Sequence, residues 1–162
     1  TLGRLRARFQ RNAQRGMSLA GELCRVLALF EAQGIPALPF KGPTLAETVY
    51  GNLALRQFFD LDVLVHRRDV LRARDLLVEQ GYRPELSLTH AEEEAFLDSD
   101  CEYNFDGADG VHLEIHWDVL PRLYALRFDV EGLWLRAEPD EDPAQADALA
   151  ALIAQDLARG AA

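Results

Sequence analysis

The sequence predicts a mixed α/β (α+β) domain, and three observations carry that expectation. Apolar residues recur at helical spacing through residues 4–33. The stretch Phe59-Asp60-Leu61-Asp62-Val63-Leu64-Val65 alternates as a strand does. Two further alternating runs, 101–105 and 111–117, flank a turn rich in Gly and Asp. A chain of 162 residues is long enough to build one domain around a real core.

Taken in order, residues 4–33 read as one long helix or two, with Leu19, Leu23, Val26, Leu27 and Phe30 as its apolar stripe and Gly34 as its stop. Ile35 to Phe40 is short, apolar and interrupted by Pro36 and Pro39, which suits an edge strand. Lys41-Gly42 follows it, and Pro43 opens a helix that ends at Gly51-Asn52. Leu53 to Phe58 leads into the acidic strand. Asp69 to Gln80 is an amphipathic helix closed by Gly81, after which Tyr82-Arg83-Pro84 leaves it. Thr89 and Glu92 match a capping box for a short helix through Leu97, with Glu92 to Glu94 as a solvated face. Cys101–Phe105 and Val111–Trp117 form a hairpin around a five-residue loop, 106–110. Leu133, Trp134 and Leu135 are expected to pack on the core. The expected division is a domain over 1–137, including the N-terminal helix, and a linker with an Ala-rich helix over 138–162. Both ends read as trimmed, which leaves room for a further C-terminal domain.

Charge and composition narrow the function. About half the residues are apolar and a quarter charged, the balance of a globular domain. The net charge is −10, although residues 1–25 carry six Arg against one Glu. That acidity disfavours a long nucleic acid as partner, which needs a basic face. No run of eighteen apolar residues suggests a membrane span, no signal peptide is visible, and a cytoplasmic location is the expectation. Cys24 and Cys101 have neither disulfide nor metal spacing.

The chemistry concentrates in a few residues. Asp60 and Asp62 share one strand face, about 7 Å apart, where they repel each other and resist burial. A divalent cation removes that cost, and an oxygen-rich site suits magnesium. Lys41, the sole lysine, and Gly42 sit where a strand meets a helix start, a place that favours phosphate; from these residues alone, an ordinary loop with a surface lysine is the better reading. Arg56 could hold phosphate or brace a carboxylate. In the later strand His112, Glu114 and His116 share a face, and Glu114 is the acid inside the apolar alternation. His-Leu-Glu-Ile-His is not the helical zinc-protease motif, because its Glu does not directly follow the first His; a strand-borne zinc site and half-buried histidines are the two readings.

Phe40-Lys41-Gly42 with Leu45 and Tyr50-Gly51, then Arg56 to Val65, then Gly81-Tyr82 and Glu114-Ile115-His116-Trp117, occur together in that order. This set resembles the uncharacterised nucleotidyltransferase family of the DNA polymerase beta-like nucleotidyltransferase superfamily, over roughly residues 20–136. The resemblance implies a small mixed β-sheet flanked by helices, with Asp60, Asp62 and Glu114 as catalytic residues binding two Mg2+ ions. Lys41, Gly42 and Arg56 would meet the nucleotide. The wider superfamily has Gly-Gly or Gly-Ser in the loop where Lys41-Gly42 stands here. The implied activity is transfer of a nucleotidyl group from a nucleoside triphosphate to an unknown acceptor hydroxyl. The competing readings are a sugar-nucleotide transferase using Asp-x-Asp on one metal, and a non-catalytic module of the same fold that binds nucleotide or a partner.

Overall fold

The computed structural model describes residues 2–121 and 129–137. A single helix, α1 (Leu2–Ala32), replaces the one-or-two alternative. Its buried residues Gly16, Leu19, Ala20, Leu23, Val26 and Phe30 recur every three or four positions, so one stripe faces inward. Gly34, at φ 65°, turns the chain after it. The short strand β1 (Ala37–Pro39) follows, then α2 (Gly42–Tyr50), which ends on left-handed Gly51. The acidic strand is β2 (Asp60–Val65). Helix α3 (Val70–Glu79), strand β3 (Arg83–Pro84), helix α4 (His90–Ser99), the hairpin β4 (Glu102–Asp106) and β5 (His112–His116), and α5 (Val130–Ala137) complete the described chain.

The five strands form one mixed sheet in the order β1-β2-β5-β4-β3. β2 and β5 run parallel at its centre, and every other neighbouring pair is antiparallel. Alternation gives the sheet two unlike faces. Leu61, Val63, Leu113, Ile115, Tyr103 and Phe105 line one face. They join the α1 stripe, Val70, Ala73 and Leu77 of α3 and Leu97 of α4 in one buried cluster. The other face carries Asp60, Asp62 and Leu64 beside His112, Glu114 and His116, and then Asp106, Asn104 and Glu102.

Four expectations change. Arg83-Pro84 does not simply leave α3; it pairs with Asp106 and Phe105 as an edge strand, where proline's missing N–H costs nothing. The hairpin pairs Asp106 with His112, so its five-residue loop is 107–111 and the register moves by two residues. Glu93 is not on a solvated face: it is buried and paired with Arg74. Leu135 is 71% exposed, whereas Trp134 is half-buried and its ring stacks on His66. The linker and helix expected over 138–162 lie outside the described residues.

Candidate active site

Parallel pairing of β2 with β5 builds the site. It sets Asp62 directly beside Glu114, and Asp60 beside His112. Residues paired across neighbouring strands point to the same face, so two carboxylates more than fifty positions apart in sequence meet there. Glu114 Oε2 and Asp62 Oδ1 both approach His116 Nε2, at 3.2 and 3.3 Å. Oxygen or nitrogen donors of Asp62, Glu114 and His116 lie within 4.8 Å of one another, close enough to converge on one cation. Asp60 lies one register step away, half-buried, outside that group.

The loop before α2 closes over this face. Lys41 Nζ bonds Asp62 Oδ1 at 2.6 Å and lies 5.0 Å from the Phe40 ring centre. Phe40 in turn meets the His116 ring edge-on at 5.0 Å. Gly42 has φ 51°, and a Cβ there would stand 3.1 Å from the Asp60 carbonyl oxygen. Glycine is therefore required twice, for the left-handed backbone and for close approach to the acidic strand. Arg56 Nη1 donates to the Gly42 carbonyl at 3.1 Å, so Arg56 braces this loop. In the first turn of α2 the Thr44 hydroxyl oxygen is buried with no hydrogen-bond partner among the described residues.

Asp62 is 3% exposed. Burial alone pushes its carboxyl up, but hydrogen bonds from His116 and Lys41 outweigh burial and hold it below the usual range. The same contacts act in reverse on the partners. Burial works against the charged forms of Lys41 and His116. Asp62 overcomes it for Lys41, and Asp62 with Glu114 overcomes it for His116, so both are raised. The buried carboxylate is thus held ionised by two nitrogen bases, one of which reaches solvent.

The family model of an uncharacterised nucleotidyltransferase matches residues 1–153. The chain belongs to this nucleotidyltransferase family. Comparison with curated proteins and with solved structures found no match. The family assignment agrees with the mixed five-stranded sheet and with a face of acidic and histidine groups able to hold a divalent metal. No described helix is long and apolar enough to cross a membrane.

Two residues of the acidic face were not picked out from the sequence. Glu102 stands opposite His116, with its Oε2 3.4 Å from His116 Nδ1. The hairpin was visible as a pattern, but a loop placed one residue early sets Glu102 opposite Glu114 instead. The buried Cys101 thiol also lies within 4.8 Å of donors from Glu102 and His116. Nothing in the spacing of Cys101 and His116 marks them as neighbours. His112 shares the face of Glu114 and His116, as alternation grouped them, but it pairs with Asp106 at 2.7 Å and is exposed.

Proposed function

We propose that this protein is a magnesium-dependent nucleotidyltransferase acting on a nucleoside triphosphate and an acceptor hydroxyl. The acceptor oxygen forms a bond to the α-phosphorus, the bond from that phosphorus to the β-phosphate oxygen breaks, and pyrophosphate leaves. The observation that carries the reading is the Asp62–Glu114 pair on the polar face of the sheet, with the Lys41-Gly42 loop docked on it. Asp60, Asp62 and Glu114 are hard oxygen donors that fit magnesium. Two such ions, when bound there, would supply charge neutralisation at the entering and leaving oxygens.

The chain's own residues carry the remaining steps. Lys41 neutralises Asp62 before substrate arrives. Its side chain is 46% exposed and can turn from the carboxylate to the phosphates as they enter. Gly42 lets backbone approach the acidic strand, and Arg56 holds the loop in place or, turned outward, meets phosphate. Glu114 accepts the acceptor's proton.

Thermal unfolding with ATP, GTP, CTP and UTP, each with and without magnesium, tests the reading. A ligand that binds only the folded protein raises its melting temperature. We expect a magnesium-dependent rise with at least one nucleotide and its loss in Asp62→Asn. Absence of any shift in the well-folded protein would overturn the reading in favour of a non-catalytic module that binds a partner and not a nucleotide.

A further inference from the structure

A second group of donors lies on the far side of the His116 ring, and it differs in chemistry from the carboxylate pair. We propose that Cys101 Sγ, a Glu102 carboxylate oxygen and His116 Nδ1 form a site for a zinc-class divalent ion, open at its fourth position. The three donors lie within 4.8 Å of one another. Cys101 and His116 are each 3% exposed, while the Glu102 side chain, 34% exposed, stands at the mouth.

The state of the imidazole supports this. Nε2 faces Glu114 and Asp62 at 3.2 and 3.3 Å, so the ring hydrogen belongs on Nε2. Nδ1 is buried and has no hydrogen-bond partner among the described residues, although Glu102 Oε2 is 3.4 Å away. A buried nitrogen left unsatisfied is unfavourable, and a metal ion would satisfy it. A histidine whose one nitrogen donates to carboxylate while the other offers a lone pair is the usual posture of a metal ligand. Thiolate, imidazole and carboxylate together suit zinc, whereas magnesium takes oxygen donors. The two sides of one ring therefore select different ions, and the site stands whether or not the nucleotidyl-transfer reading holds.

Geometry and protons follow. Tetrahedral zinc, with bonds of about 2.0–2.3 Å, separates its donors by about 3.3–3.8 Å. Glu102 Oε2 and His116 Nδ1, 3.4 Å apart, already have that separation, and the Cys101 thiol lies within 4.8 Å of both. Burial, aided by the charges of Glu102, Asp100 and Asp118, pushes the Cys101 thiol up to about 12. The ion takes the place of the S–H proton and of any proton on His116 Nδ1, and these pass to solvent. Once loaded, Nδ1 is fixed as a ligand, and Nε2–H stays directed at Asp62 and Glu114.

Cobalt(II) is a spectroscopic stand-in for zinc. Titrated into metal-free protein, it should give a near-ultraviolet thiolate-to-cobalt band that saturates at about one ion per chain, as a single site requires. Zinc should displace it and millimolar magnesium should not. Cys101→Ser should abolish the band and Cys24→Ser should keep it. Because Cys101 is buried, Glu102→Gln provides a second variant at an accessible position. It should weaken cobalt binding about tenfold or more with an unchanged circular dichroism spectrum. Absence of the band in the parent protein, its survival in Cys101→Ser, or equal cobalt affinity in Glu102→Gln would overturn the proposal. None of these readouts depends on nucleotide.

Discussion

At the scale of single residues, the acidic face is governed by how one buried charge is balanced. Asp62 has lost nearly all its water, so its ionised form rests on Lys41 and His116. Removing one partner of a buried pair is expensive because the other charge stays behind. Here Lys41 is half-exposed and His116 remains, which reduces the loss. We expect Lys41→Met to destabilise the fold by about 1–2 kcal/mol, measured by urea unfolding. A variant as stable as the parent would mean that solvent already screens the pair. Alternation put Asp60 and Asp62 on one strand face and marked Glu114 as the acid of a later strand, and the family resemblance joined the three. Neither could show that Lys41 reaches back across a turn to Asp62, because that contact depends on where the loop lands.

At the scale of elements, contacts between α1 and the end of α3 carry a pH dependence. Glu22 on α1 accepts hydrogen bonds from Arg25 and from the hydroxyl of Tyr82, which follows α3. The Arg25 hydrogen bond is the main cause that holds the Glu22 carboxyl below its usual range, against burial and with help from Tyr82. A carboxyl lowered in the folded state adds stability that is complete above its unfolded value, about 4.3, and is lost as pH falls through the folded value. Unfolding free energies of the parent and Glu22→Gln should therefore differ by about 0.5–1.5 kcal/mol at neutral pH. The difference should shrink as pH drops below about 4. A gap that stays constant to pH 3 would assign it to packing instead. Element types were legible where periodicity was long, as in α1, α3 and β2. The two-residue β3 was not, since Arg83-Pro84 is a strand only because Asp106 and Phe105 stand beside it.

For the whole molecule, topology decides both the site and the rigidity around it. β2 and β5 have paired neighbours on both sides, whereas β1 and β3 are the sheet edges. Amide hydrogen exchange should be slowest at Leu61–Leu64 and Leu113–Ile115 and faster in β1 and β3. Equal protection across the sheet would contradict this order of strands. A slow central pair also means that Asp62 and Glu114 sit on the stiffest part of the domain, while Lys41 and Arg56 sit on the loops beside it.

The sequence by itself determined the mixed helix-and-strand class, the buried stripe of α1, the acidic strand, and the family to which the set of motifs belongs. These are local or ordered features, and side-chain alternation and helical spacing express them directly. Only the tertiary structure decided that β2 and β5 run parallel in the register that joins Asp62 to Glu114, and that the corrected hairpin register brings Glu102 and Cys101 to His116. Pairing between distant strands follows from how two faces of a sheet divide between core and solvent. A two-residue register shift leaves that division intact, so the apolar pattern cannot distinguish the alternatives.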